Sequence, residues 1–480
     1  MSEGQSLKEK TAKGLFWGGF SNGIQQLLNL LFGICLSRLL NASDYGMVGM
    51  LTIFSLIAGS LQESGFVAAL TNKKEITHQD YNAVFWFSSG LSLCLYTLLF
   101  FCAPLIADFY QIPELTALAR FSFLGFFIAS LGTSQSAYLF RNLQVKQKTT
   151  ASLIGLIISG IIGILMAYCG FSYWGIATQS LVYVSVTTAY FWHYSPWRPT
   201  LHIELSPLKE MFSFSAKLLI TNIFNNINNN LFSIILGKFY SEKEVGYFNQ
   251  ANKWNMMGYS FIAGMISNIA QPTFVQVSEN RDRQLRIFRK MLRFTAFVSF
   301  PLMLGLSLIA PDLIIIAITD KWAESARILQ IISIGGAFVP ITTLYTNLII
   351  SKGKSNIYMW NTICLGLLQL FSMLMLYPYG IHTMIVFYII INTGWLLIWQ
   401  YFAWREIRIT LLMTIKDVFP FFIIALSSML LTYLFTQNIN NIYFALIAKI
   451  SIAAILYIGV MWGSNSVTFK ECLNYLLKKV

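Results

Sequence analysis

Apolar runs of about 20 residues or more, long enough to cross a hydrocarbon core of roughly 30 Å as helices, alternate with short polar breaks along almost the whole chain. The runs fall at 14–38, 46–71, 83–107, 119–140, 149–169, 175–195, 212–237, 246–270, 292–317, 327–350, 357–377, 383–403, 418–436 and 444–463, which predicts about fourteen membrane helices. No stretch alternates in segments of about ten residues as the strands of a membrane barrel do. The expected fold class is therefore an all-α polytopic membrane protein.

The polar positions inside these runs reveal a duplication. The segment Gly14 to Gly46 matches Phe214 to Gly246 without a gap, and Asn22, Gln25, Gln26 and Asn29 align with Asn222, Asn225, Asn226 and Asn229. Spacings of three, four and seven put each set on one helical face. After each stripe the chain reads basic, acidic, then glycine: Arg38, Asp44 and Gly46 against Lys238, Glu244 and Gly246. A second anchor is Ala103-Pro104 with Arg120, matched 207 positions on by Ala310-Pro311 with Arg327.

Six helices per copy return the chain to the side it started from, so both copies insert in the same orientation. The relating axis then runs along the membrane normal, as in parallel-repeat transporters. The expected organisation is an N-lobe over 1–194 (helices 1–6), a cytoplasmic linker over 195–211, a C-lobe over 212–403 (helices 7–12), and two accessory helices with a cytoplasmic tail over 404–480. These are two six-helix lobes with a cleft between them. Amides are costly against lipid and should face a wet cavity or another helix. The blander alternative is that they join helices, at about 0.6 kcal/mol each.

Composition and charge sharpen this picture. With 56% hydrophobic and 11% charged residues, and a mean hydropathy of +0.61, a water-soluble domain is excluded, since such domains hold about 25% charged residues. Roughly 24 of the 33 basic residues gather in alternate breaks, and the positive-inside rule makes that side cytoplasmic, together with both termini. The net charge of +13 is thus a topology signal. No break is long enough for a basic nucleic-acid-binding domain; membrane lipids are the expected partners of the basic loops. The six cysteines, at 35, 94, 102, 169, 364 and 472, show no paired spacing and read as small core residues, not disulfides or metal ligands. The first run is too long for a signal-peptide core and is expected to stay in the mature chain. No cofactor and no metal are expected.

Four segments carry a family resemblance: Leu36 to Gly46, Gln62 to Leu70, Asp80 to Phe87, and Ala103 to Tyr110. Together they closely resemble the Wzx-type oligosaccharide flippases, nearest the colanic-acid exporter branch of the multidrug, oligosaccharidyl-lipid and polysaccharide exporter superfamily. The resemblance is strong over the first 150 residues, moderate around Lys238 to Gly246 and Ala310 to Trp322, and beyond about 420 rests on hydropathy. It implies a bacterial inner-membrane protein that moves a polyprenyl-pyrophosphate-linked oligosaccharide from the cytoplasmic to the periplasmic leaflet by alternating access. Such transport serves surface polysaccharides such as lipopolysaccharide and exopolysaccharide. Proton or sodium coupling and contact with the polymerase machinery are further partners to consider. Glu63 stands where the commoner family pattern has aspartate.

Few charges lie within the spans. Each costs about 2.5–3.5 kcal/mol near mid-membrane and so faces a partner or cavity. Lys253 joins the amides as a candidate cavity residue. Glu63 and Lys217 are candidates for a gate between lobes, with ion coupling the alternative for Glu63. Arg38 and Lys238 end their helices on the outer side, where snorkelling explains them. Asp312, Arg120 and Arg327 read as interfacial. No catalytic residues are expected: the four histidines are scattered and the outer breaks are short, which disfavours an integral-membrane glycosyltransferase or polymerase. A cation-coupled multidrug antiporter of the same superfamily is the principal alternative.

Overall fold

A computed structural model describes residues 7–63, 70, 76–142, 144–201, 204, 206–464 and 466–476. Among them the chain is helical and contains no strand. The helices are α1 (Leu7–Leu39), α2 (Ala42–Glu63), α3 (His78–Tyr110), α4 (Leu115–Ser122), α5 (Leu124–Ser130), α6 (Thr133–Arg141), α7 (Val145–Tyr168), α8 (Tyr173–Tyr194), α9 (Ser206–Phe239) and α10 (Glu242–Gln276). They continue with α11 (Arg281–Ile318), α12 (Ala323–Gly336), α13 (Val339–Ser351), α14 (Ser355–Leu376), α15 (Ile381–Gly394), α16 (Leu396–Ile407), α17 (Leu411–Thr436), α18 (Ile442–Gly463) and α19 (Val467–Leu476).

Among the described residues the fourteen apolar runs lie almost wholly on helix, apart from the breaks described below; residues 64–69 and 71 of the second run lie outside them. Nine helical stretches among the described residues are long and apolar enough to span, and a tenth is the bent pair Leu115–Ser130 with Thr133–Arg141. The others are α1, of which Gly23–Leu39 counts as a shorter apolar helix, and α8, α9 and α10. Asparagines lower the mean hydropathy of α9, and tyrosine, tryptophan and histidine lower that of α8, although such aromatics are at home at membrane interfaces.

The fourth run is not one rod. It breaks at Phe123 and again at Leu131-Gly132, bending by 42° between α5 and α6. A break at Ala337-Phe338, between α12 and α13, recurs about 206 residues later. Backbone groups freed inside a membrane need new partners. Trp192 Nε1 donates to the Leu131 carbonyl at 2.7 Å, and Ser299 Oγ donates to the Ala337 carbonyl at 2.7 Å. Averaged hydropathy stays high across both breaks, so the sequence reads each pair as continuous.

The chain forms two compact units, Met1–Gly246 and Tyr247–Val480. In the first, α7 and α8 form a hairpin on which α1 packs, while α9 packs along α2 and α3. Its buried residues include Tyr81, Val84, Phe85, Ala137 and Trp197 near one end and Leu36, Leu40 and Ala167 elsewhere. In the second, α11 is the central post, contacting α12, α17 and α18. Phe288, Phe300, Tyr345, Trp399, Phe421 and Tyr457 belong to its continuous core.

The cysteines correct one expectation. Cys35, Cys94, Cys169 and Cys364 are exposed and Cys102 is partly buried; all five are free thiols. A small apolar thiol suits a lipid-facing helix surface as well as an interior, because lipid does not penalise its exposure.

Candidate functional site

The duplicated turns are built alike. In the first, Asn41 Oδ1 accepts from the Asp44 backbone N–H and Asp44 Oδ2 from that of Asn41, both at 3.0 Å, closing a reciprocal cap on α2. The Ser172 hydroxyl also donates to the buried Asp44 carboxylate. In the second, Ser241 Oγ accepts from the Glu244 N–H at 3.3 Å and caps α10. Backbone bonds match as well, Leu40 N–H to the Leu36 carbonyl at 2.8 Å and Tyr240 N–H to the Leu236 carbonyl at 2.9 Å.

The two capped ends meet. A Cβ built on Gly46 would lie 1.7 Å from the Glu242 carbonyl oxygen, and one on Gly246 1.8 Å from the Ala42 carbonyl oxygen. Only glycine lets the first turns of α2 and α10 cross this closely. The contact is reciprocal at the offset of 200 that the sequence repeat defines, 42 with 246 and 46 with 242. Ser43 Oγ donates to Glu242 Oε1 across it at 3.3 Å.

Of the amide stripe, Gln26 and Asn29 on α1 and Asn222 and Asn229 on α9 are exposed, while Gln25, Asn225 and Asn226 are partly buried. Asn226 Nδ2 donates to Ser60 Oγ of α2 at 2.8 Å, so this amide does join helices. Lys253, on α10, is exposed and forms no hydrogen bond or ion pair among the described residues. The side chains of Asn22, Glu63 and Lys217 lie outside the described residues, and with them the expected gate pair. Lys238 Nζ donates to the Phe109 carbonyl at 2.7 Å, at the C-terminal end of α3, and sits 4.5 Å from the centre of the Phe109 ring. A cation is favoured at a helix C-terminus. Arg38 is exposed at the end of α1.

Several motif residues prove architectural. Asp80 closes a capping box with Thr77 at the start of α3. Asn82 Oδ1 accepts from the Thr200 N–H at 2.9 Å, and Trp86 Nε1 donates to the Thr200 carbonyl at 2.7 Å. These contacts tie the start of α3 to the segment after α8.

The structure also pairs charges whose partners sequence reasoning missed. Asp312 of α11 pairs with Lys449 of α18 at 2.6 Å, both largely shielded. Lys449 lies seven residues inside α18, about 10 Å along its axis, and a lysine in an otherwise apolar run was the available signal. Asp417 of α17 is buried and takes Arg289 at 2.6 Å and Arg293 at 3.3 Å. Lys352, in the turn between α13 and α14, has its ammonium held below the usual lysine range by burial; Arg281 and Lys354 add to the effect and Glu406 opposes it. No cluster of three or more histidine, cysteine or acidic side chains suited to a metal occurs among the described residues.

Together these features define a multi-pass helical membrane protein with exposed amides on α1 and α9. Its fold is shared with a solved lipid II flippase, MurJ, in an inward closed conformation, at a TM-score of 0.76 and 14% identity, covering 96% of this chain and 99% of that one. The chain belongs to the family described as polysaccharide biosynthesis protein, whose pattern matches residues 35–327. It is 26% identical over 356 residues to an uncharacterised membrane protein in the cps region of Klebsiella pneumoniae, covering 73% of each chain. It is 23% identical over 360 residues to the lipopolysaccharide biosynthesis protein WzxC of Escherichia coli K12, covering 73% of this chain and 72% of WzxC.

Proposed function

We propose that this protein carries a lipid-linked oligosaccharide from the cytoplasmic to the periplasmic leaflet of a bacterial inner membrane, for assembly of a surface polysaccharide. The observation that carries the reading is the exposure of Gln26, Asn29, Asn222 and Asn229 on helices that sit among apolar spans. Amides at membrane depth are tolerated where they line water, not lipid. An amide-walled, wet path suits the hydroxyls of a sugar. Membership in a polysaccharide biosynthesis family points the same way, as does the name of the flippase whose fold it shares.

The chemistry of the cargo divides into three demands. A pyrophosphate leaving water needs cations or donors, and Lys253, exposed and unpaired among the described residues, is the proposed one. Sugars need amides and aromatic faces, and the prenyl tail stays in lipid. In this reading two six-helix lobes, related by an axis along the membrane normal, rock against each other, with Glu63 and Lys217 as the gate. Both termini are cytoplasmic, a proton or sodium gradient drives the cycle, and no covalent catalysis takes place.

Purified protein in liposomes, offered a fluorescent polyprenyl-pyrophosphate oligosaccharide and separately a cationic dye, tests this. Movement of the labelled sugar lipid is the expected result. Movement of the dye alone would replace the reading with a multidrug antiporter. Cysteines introduced at 108 or 242 should label from the outside and at 146 or 286 from the inside; outside labelling of 286 overturns the topology.

A further inference from the structure

The N-terminal half of α11 carries two adjacent stripes. Ile287, Met291 and Phe294 follow at intervals of four and three, and Arg286, Lys290 and Arg293 follow the same intervals one position earlier. Such spacings place each set along one face of the helix, with the two faces side by side. The apolar stripe forms the floor of a groove whose walls come from Met265 and Ile269 of α10 and from Val467 of α19. The groove encloses about 320 Å³, within the roughly 300–1,000 Å³ range of small-molecule sites. Lys290, Arg293 and Glu471 stand at its edge.

The charges along that edge do not balance. Lys290 pairs with Glu471 at 2.8 Å, and Arg293 shares Asp417 with Arg289. One carboxylate thus serves two guanidinium groups. Arg286 is exposed and has neither an ion pair nor a hydrogen bond among the described residues. Lys290 and Arg293 border the slot and Arg286 lies one turn further along their stripe; such an excess of cations beside an apolar slot is the complement of an amphiphile with an anionic head and a hydrocarbon chain. Each Lys or Arg near an anionic lipid surface contributes to such attraction, and α19, a short amphipathic helix, has the character of an interfacial element.

We infer that the groove between α10, α11 and α19 is a binding site for one anionic glycerophospholipid, its chain on Ile287, Met291 and Phe294 and its phosphate at Arg286, Lys290 and Arg293. The cargo's own polyprenyl diphosphate is the competing occupant. The phospholipid is favoured because a slot of about 320 Å³ matches part of one acyl chain better than a long prenyl tail.

Native mass spectrometry of the full-length protein in mild detergent tests the assignment. Phosphatidylglycerol and phosphatidylcholine with the same chains are offered first, and a polyprenyl diphosphate is then added as competitor. The wild type should retain phosphatidylglycerol over phosphatidylcholine. Arg286→Gln and Lys290→Gln should each lower that retention about fivefold. Ile269→Trp, at an exposed position on the wall, should abolish retention of both lipids by filling the slot. If Ile269→Trp loses its melting transition, Met265→Trp on the same wall is the second plug. Unchanged phosphatidylglycerol retention in a folded plugged variant overturns the site. Displacement of phosphatidylglycerol by an equal amount of polyprenyl diphosphate overturns the choice of ligand. Retention is read without flipping, so the result stands apart from the transport proposal.

Discussion

Replacing Gly246 by alanine is the most informative single change, because its geometric consequence follows directly from the backbone. The new methyl would start 1.8 Å from the Ala42 carbonyl oxygen, and ordinary contact begins at 3.4 Å, so the first turns of α2 and α10 must part by about 1.6 Å. The obstacle is backbone, which has no alternative rotamer. The cost should therefore lie near the upper end of the roughly 1–3 kcal/mol of overpacking, lowering the thermal midpoint in detergent by several degrees. Gly46→Ala meets the same obstacle from the Glu242 carbonyl, at 1.7 Å. Once the turns have separated for one methyl the second is largely accommodated, so the double variant should cost clearly less than the two singles together. Cysteines at 43 and 242, whose native side chains touch at 3.3 Å, should be joined by a short bifunctional thiol reagent readily in the parent and slowly in Gly246→Ala. Gly264→Ala, on the same helix with nothing within 4 Å of its Cβ, is the control and should be neutral or stabilise by up to about 1 kcal/mol. Parent-like melting and crosslinking in Gly246→Ala would refute the reasoning.

Three further outcomes are expected. Asp312→Asn or Lys449→Met alone leaves one charge shielded and should cost about 3–5 kcal/mol, whereas Asp312→Leu with Lys449→Met should recover most of it; equal losses in single and double variants, read by thermal unfolding in detergent, would argue against a tight pair. Lys352 is held below its ordinary value of 10.5 in the folded chain, so the unfolded chain binds more protons as pH rises toward 10.5, and stability should climb through that window. Lys352→Gln should flatten that climb in melts recorded against pH. Lys253→Ala should slow movement of the labelled sugar lipid in liposomes while membrane insertion stays normal, and undiminished transport would reduce Lys253 to a structural residue.

The repeat was legible because polar side chains are rare in an apolar background, so Asn222 to Asn229 stand out where any single leucine would not. The same background hid the helix breaks at Leu131 and Ala337, since hydropathy averages over a turn that leaves side-chain polarity unchanged. Ion pairs were invisible for a different reason. Asp312 was noticed and read as interfacial, but its partner lies 137 residues away on a helix that the spacing of residues alone does not bring alongside. The motif residues Asp44 and Asp80, which carry the family resemblance in the sequence, fix helix ends, and Asn82 ties α3 to the segment after α8. Cysteine burial was misread because a membrane supplies an apolar surroundings on the outside as well.

The two matched helix breaks differ in the order of synthesis. The Leu131 carbonyl is taken by Trp192, which emerges 61 residues later, whereas the Ala337 carbonyl is taken by Ser299, made 38 residues earlier. At 8, 7 and 9 residues, α4, α5 and α6 are each too short to cross a bilayer alone. During insertion the first half must hold that carbonyl without its native partner until α8 arrives. The corresponding carbonyl in the second half finds its partner already in place. A nascent chain halted between α6 and α8 therefore presents an unfinished kink to the insertion machinery, and one halted after α13 does not.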